Sequence, residues 1–196
     1  KEIIIGAAPV LASRIGYVGE LGFELHIPSE FAIHVYKELW QSGQEMDIAN
    51  VGYRAIESLR MEKGYLYWSG DISPDYSPLE AGLGFRVHFD LKDDFLGRQA
   101  LESQMKNGLD RKLFTFVSEQ FLPLTGGETI LESDRVVSLA TSVAYGFTVK
   151  KTIIRGYLDR LYWGKTEFTV EVFGQRYPVK LASSPVYDPK NLALKG

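Results

Sequence analysis

The sequence predicts an α+β chain: a helix-bearing α+β segment over residues 1–108, then a β-barrel or jelly-roll domain over residues 109–196. Three observations predict it. Apolar residues recur at helical spacing in two stretches ahead of Gly64. Helical periodicity is lost after Gly108. Beyond that point short alternating runs follow one another between turn residues, as in an antiparallel barrel or jelly roll.

Arg14 to Val18 and Phe23 to Ile27 read as two strands around the glycine-rich turn Gly19-Glu20-Leu21-Gly22, and Pro28 stops the second. Glu30 to Ser42 is a helix, because Phe31, Val35 and Leu39 recur at spacing four. Tyr53 to Lys63 is a second helix, ended by Gly64. The aromatic run Tyr65-Leu66-Tyr67-Trp68 leads into a loop marked by Ser73-Pro74-Asp75 and Ser77-Pro78. Gly84 to Phe89 alternates as a strand, and Gly97 to Lys106 forms a short helix. Strands then follow at 112–117, 128–131, 135–138, 140–143, 153–158, 168–172 and 177–181.

The chain has 196 residues, 45% hydrophobic and 24% charged, which is globular composition able to bury a core. A net charge of -3 provides no basic field to gather nucleic acid or an anionic membrane. The longest apolar runs, such as Ile3-Ile4-Ile5, fall far short of the roughly 20 residues that span a bilayer. With no cysteine, disulfides and cysteine-ligated metals are excluded. His26, His34 and His88 are scattered without zinc-site spacing, so no metal is expected. Neither a phosphate-cradling GxxxxGK nor a GxGxxG fingerprint is present. The abrupt opening at Lys1 reads as an internal start in a longer polypeptide.

Four clusters carry candidate chemistry. In Gly16 to Glu24 the glycines permit close backbone approach, and Tyr17 offers a ring and a hydroxyl. Alternation alone makes Glu24 an outward-facing strand carboxylate, whereas the same group aimed into a cavity accepts paired N–H bonds from an aminopyrimidinone. In the second helix Glu57 and Arg60 lie at i, i+3, a pair worth about 0.2–0.5 kcal/mol on a solvated face. Tyr65 to Asp71 holds aromatics suited either to core packing or to stacking on a flat heterocycle. Glu80, in Ser77 to Leu83, serves either backbone N–H groups or a ligand amine.

In order, these clusters resemble the glycine-cleavage T-protein (aminomethyltransferase) superfamily. G-Y-T/V-G-E-x-G-F/Y-E matches Gly16 to Glu24, S-L-R-L/M-E-x-G matches Ser58 to Gly64, the acidic D-I…S/T-P-L-E-A-G-L run matches Asp71 to Leu83, and D-F-I/L-G-K/R-x-A-L matches Asp94 to Leu101. The resemblance covers nearly the whole chain. Within the superfamily, Gly52 to Leu59, Phe95 to Arg98, Lys151 to Ile153 and Ser184 to Asn191 look most like the folate-binding module of sarcosine and dimethylglycine dehydrogenases. T-proteins carry a ligand-binding Arg where this chain has Ile56, and Arg54, two residues earlier and about 200° around the helix, is no direct substitute.

The resemblance implies the C-terminal part of an aminomethyltransferase-like module that hands a one-carbon unit from a methylated amine to tetrahydrofolate, giving methylenetetrahydrofolate. Glu24 would hold the pterin N–H groups, Tyr17 would pack against or bond the ligand, and Trp68 would line the pocket. Arg60 and Arg54 complete the set of candidate cofactor-binding residues. The family's catalytic Asp lies upstream of Lys1, so no catalytic residue is expected in this chain, and the piece alone is expected to be inactive. FAD would belong to an N-terminal flavin domain joined in cis. A mitochondrial matrix location is implied for a eukaryotic source and a cytoplasmic one for a bacterial source. The alternatives are a non-catalytic regulatory subunit of the pyruvate dehydrogenase phosphatase type and a stand-alone glycine-cleavage aminomethyltransferase.

Overall fold

A computed structural model describes residues 1–91 and 94–196. Two compact units are present, Lys1–Arg60 with Asp188–Gly196, and Met61–Tyr187.

In the first unit three antiparallel strands, β1 (Glu2–Ile5), β2 (Ala8–Ser13) and β3 (Glu24–His26), lie in the order β1-β2-β3. The register sets Glu2 opposite Leu11 and Leu11 opposite His26. Because side chains alternate faces, Ala8 and Val10 fall on one side and are buried against Val35 of helix α1 (Ala32–Gly43), with Ile3, Ile5, Leu25, Ile27 and Phe31 around them. The opposite face leaves Ile4 and Leu11 exposed.

Of the two strands expected around Gly19, the second is present as β3 and the first lies earlier, as β2, the two pairing antiparallel across residues 14–23. Gly6, at φ +58°, turns β1 into β2, and β2 ends at Ser13. Residues 14–23 form bends instead of a strand. Their anchors come from the chain end: Leu21 N–H donates to Ala193 O at 3.1 Å, and Arg14 donates to Lys195 O at 2.7 Å. Helix α2 (Tyr53–Lys63) has the expected bounds and crosses the boundary between the units.

The second unit is built on a closed six-stranded antiparallel barrel. Its strands are β4 (Arg111–Ser118), β5 (Thr129–Glu132), β6 (Arg135–Gly146), β7 (Lys151–Asp159), β8 (Phe168–Val172) and β9 (Gln175–Ala182), in the order β4-β7-β6-β5-β8-β9 with β9 returning to β4. The interior holds Phe116, Ile130, Ile154, Leu158, Phe168, Val170 and Val179. Phe116 meets Phe168 edge-on at 5.3 Å.

Two expected strands, 135–138 and 140–143, are one strand, β6, with a register irregularity against β7 between Ala140 and Ser142. The strand expected at 84–89 is a 3-10 turn at Gly84–Arg86, closed by Arg86 N–H to Leu83 O. A closed barrel offers no free edge for a seventh strand. Helix α3 (Arg98–Asn107) lies one residue from its expected start. In the barrel itself the described residues outside strands include a single 3-10 turn at Arg160–Tyr162 and no longer helix. No helix among the described residues is long and apolar enough to cross a membrane.

Strand β7 departs from simple alternation: every residue from Thr152 to Leu158 is buried. Ile154 and Leu158 point into the barrel core. The alternate residues Arg155 and Tyr157 point outward, where they contact Tyr65 and Asp71. The segment between α2 and the barrel thus covers the outside of β7, which is why this strand is buried on both faces.

Candidate functional site

The glycine-rich motif is a bend stapled to the chain end. Gly19 is buried at φ +79°, a left-handed conformation that disfavours any residue with a Cβ. Tyr17 is half-buried. Glu24 opens β3 opposite Ser13 and is exposed. Its carboxylate has no hydrogen-bond or ion-pair partner among the described residues.

On α2 the pair expected on a solvated face has its arginine buried and its glutamate partly exposed. Arg60 is 2% exposed and grips Glu57 Oε2 through Nη2 at 2.7 Å and Nε at 2.9 Å. Because the guanidinium is buried while Glu57 is partly exposed, loss of Glu57 takes an ion-pair partner from a desolvated charge, which makes this pair more consequential than a surface i, i+3 contact. Arg54 is the exposed guanidinium of the helix, and Ile56 is half-buried.

In the second unit, Trp68 stands 64% exposed on a tight loop. The loop closes through Asp71 N–H to Tyr67 O at 2.8 Å, Ser69 N–H to Ile72 O at 2.8 Å and Ile72 N–H to Tyr67 O at 3.2 Å. Asp71, fully buried, holds the loop from inside. Its Oδ2 accepts from Tyr67 N–H at 3.0 Å, and Oδ1 accepts from Thr141 Oγ1 at 2.7 Å. Arg155 Nη1 lies 3.7 Å from Asp71 Oδ2 and donates to Tyr65 O at 3.3 Å. Tyr157 donates its hydroxyl to Asp71 O at 2.8 Å.

The network continues through stacked rings. Tyr76 lies parallel to Tyr157, 3.8 Å between centroids, and the Arg111 guanidinium sits 4.5 Å from the Tyr76 centroid. Arg111 donates to Glu80 Oε1 at 3.1 Å and to Asp75 O. Glu80 Oε2 accepts from Ser77 N–H at 2.8 Å, so this carboxylate serves backbone and Arg111. Burial pushes the Tyr157 hydroxyl well above the ordinary tyrosine range; Tyr76, Asp71 and Glu80 push the same way and Arg111 opposes them.

Glu62 is a further buried carboxylate. Its Oε1 accepts from Thr148 N–H at 2.7 Å and Val149 N–H at 3.2 Å, at the β6–β7 turn. Its Oε2 has no hydrogen-bond partner among the described residues. Sequence reasoning missed Asp71, Glu62, Arg155 and Tyr157 as a set. One signal was available: Arg155 is the lone charge in the apolar run Ile153 to Leu158.

Tyr17, Glu24, Arg54 and Arg60 belong to the first unit and Trp68 to the second. A groove of about 660 Å³ runs over the outer sheet face of the first unit, lined by Ile4, Pro9, Leu11 and His26 among others. None of the predicted site residues lines it. Among the described residues no His, Cys, Asp or Glu group is arranged to hold a metal ion.

The comparisons agree with these motifs. The family model for the GCVT N-terminal domain matches residues 1–91, and that for the glycine cleavage T-protein C-terminal barrel domain matches residues 111–188. Mouse sarcosine dehydrogenase, mitochondrial, is 40% identical over 95% of this chain, which spans 21% of that protein. Human dimethylglycine dehydrogenase, mitochondrial, is 34% identical over 95% of this chain and 22% of its own length. An aminomethyltransferase from Bacillus cereus is 32% identical, with 95% of this chain covering 51% of it. The crystal structure of the glycine cleavage system aminomethyltransferase T from Bartonella henselae superposes at a TM-score of 0.80 and 25% identity, covering 91% of this chain and 49% of that one. The chain therefore spans about a fifth of the dehydrogenases and about half of the aminomethyltransferases it matches. With both of its domains matched in order and its barrel closed as the second of them describes, this chain belongs to the glycine-cleavage T-protein superfamily.

Proposed function

We propose that this chain is the tetrahydrofolate-binding part of a one-carbon-transfer module of the sarcosine and dimethylglycine dehydrogenase kind. The observation that carries the reading is the run Gly16 to Glu24, which keeps the family motif in a chain 40% identical to sarcosine dehydrogenase; its Glu24 is an exposed carboxylate beyond a glycine bend, with no partner of its own among the described residues. Such a group is available to accept the paired N–H donors of a pterin. Trp68, exposed on a loop held from beneath, supplies a flat apolar face for a heterocycle. Tyr17, in the same unit as Glu24, packs against or bonds the pterin that Glu24 holds in this reading. Arg54 supplies the helix's exposed positive charge, while Arg60 supports the helix through Glu57.

Bound tetrahydrofolate supplies the amine that accepts the one-carbon unit. The residues of this chain bind and orient it, and positioning is the main catalytic contribution they make. No residue of this chain is assigned to FAD, which the reading places on a separate flavin domain of the parent. Identities of 40% to sarcosine dehydrogenase against 31% to the mouse pyruvate dehydrogenase phosphatase regulatory subunit support the enzyme branch. The mitochondrial relatives support a matrix location for a eukaryotic parent. The two family matches, ending at residue 91 and resuming at 111, support a barrel domain beginning near residue 109.

The test is calorimetric titration of tetrahydrofolate into the chain and into Glu24→Gln. The variant keeps the shape but turns one acceptor into a donor facing donors. Affinity is expected to fall about tenfold or more, since a charge-assisted hydrogen bond contributes about 1.5–3 kcal/mol and about 1.4 kcal/mol is a factor of ten. Unchanged affinity in a folded variant rejects the role of Glu24. A chain that binds no tetrahydrofolate rejects the reading for the chain as it stands.

A further inference from the structure

The geometry points to Thr141, acting through Asp71, as the positioning residue that fixes Trp68. The inference concerns the shape of the Trp68 loop, and its link to ligand binding rests on the folate reading above.

Thr141 occupies a β-bulge. In the β6–β7 ladder Ala140 pairs with Gly156 and Ser142 with Arg155, so Thr141 is the extra residue between two consecutive pairs. A bulge breaks alternation locally and re-aims one side chain. Ala140 is buried in the barrel core, while Thr141 sends its hydroxyl to Asp71 Oδ1 at 2.7 Å. Asp71 in turn spans the loop, because its other oxygen takes the Tyr67 N–H next to Trp68. The Asp71 carboxylate therefore joins barrel and loop, beside the links that Tyr157 makes to Asp71 O and Arg155 to Tyr65 O.

The loop backbone also rests on the bulge. A Cβ built on Gly70 would lie 3.4 Å from Thr141 O, 3.2 Å from Tyr67 Cδ1 and 3.6 Å from Ser142 Oγ. Position 70 is thus in close contact with both the bulge and the base of the loop, leaving little space for a side chain. Arg155 Nη1 approaches the Asp71 carboxylate from the other side, 3.7 Å from Oδ2. Trp68 itself is 64% exposed and so draws little of its placement from packing of its own ring. Its placement comes from the backbone clamp, and the bulge supplies the Thr141 end of that clamp. An indole held in this way is pre-ordered for stacking, which removes an entropic cost from binding.

The experiment uses the whole chain labelled with fluorotryptophan. The three tryptophans, Trp40, Trp68 and Trp163, give three fluorine resonances, and Trp68→Phe assigns one of them. In Thr141→Val the Trp68 resonance is expected to move toward its unfolded-chain position and broaden, while those of Trp40 and Trp163 stay. Thr141→Ser, which keeps the hydroxyl, is expected to restore the Trp68 resonance. A destabilised fold would move all three resonances, and the serine variant separates loss of the hydroxyl from loss of the methyl group. An unmoved Trp68 resonance in Thr141→Val overturns the inference, as does a serine variant that behaves like valine. Tetrahydrofolate affinity is expected to fall about threefold to tenfold in Thr141→Val. A Trp68 resonance that moves while affinity holds leaves the clamp standing and removes Trp68 from the folate reading.

Discussion

Glu62 gives a stability test whose size follows from the geometry. It is fully buried, and one oxygen takes the amides of Thr148 and Val149 at the β6–β7 turn. In Glu62→Ala both amides lose their acceptor. Thr148 is exposed and Val149 half-buried, so water partly compensates and each loss falls near the low end of the usual range, about 1 kcal/mol. The lost Cγ methylene adds about 0.8 kcal/mol. Glu62→Ala is therefore expected to destabilise the chain by about 3 kcal/mol. Glu62→Gln keeps one oxygen on both amides and puts its NH₂ where Oε2 has no partner among the described residues, so its loss is expected near about 1 kcal/mol. Urea unfolding followed by circular dichroism measures both, and amide exchange at Thr148 and Val149 reports the turn directly. A loss below about 1 kcal/mol in Glu62→Ala, or equal losses in the two variants, refutes the assignment.

Two more outcomes follow from the second unit. Tyr157 keeps its proton in the folded chain beyond the ordinary tyrosine value near 10, whereas the unfolded chain loses it there. Its contribution is present below that value and is lost as pH rises through the raised folded value, so the alkaline fall in melting temperature should be shallower in Tyr157→Phe than in wild type. Gly156→Ala should destabilise by about 1–3 kcal/mol in a thermal melt, because a Cβ there would sit 2.6 Å from Ser138 Oγ, 2.9 Å from Ile130 Cδ1 and 3.0 Å from Leu139 O. A variant as stable as wild type would contradict that packing.

What the sequence disclosed and what it hid have separate physical causes. Helix α2 was legible to the residue because glycines bracket it, and Gly64 is needed twice over: its φ is +81°, and a Cβ there would meet Ser184 Oγ at 2.5 Å. Strand β8 was legible because Phe168, Val170 and Val172 alternate inward with period two. Strand β2 was not, because Pro9 argues against a strand with neighbours on both sides. The register explains its presence: β3 pairs only with Leu11 to Ser13, so at Pro9 the strand has a neighbour on one side alone. The glycine-rich motif singled out Tyr17 and Glu24 as candidates and the aromatic cluster Tyr65 to Asp71 singled out Trp68, but neither disclosed what supports Trp68. Asp71 and Thr141 lie 70 residues apart and meet only because the barrel closes and β6 carries a bulge. That geometry has no local sequence signature.

The two sheets differ in what they leave unpaired. In the closed barrel every strand has two neighbours, so the ring presents no open row of N–H and C=O groups. The three-stranded sheet has two rims, and one of them is β1, whose Ile3-Ile4-Ile5 run is a β-branched template of the kind that recruits foreign strands. Lys1 and Glu2, charged and adjacent to that run, act as gatekeepers against it. Pairing with a foreign strand is accordingly open to the three-stranded sheet and closed to the barrel.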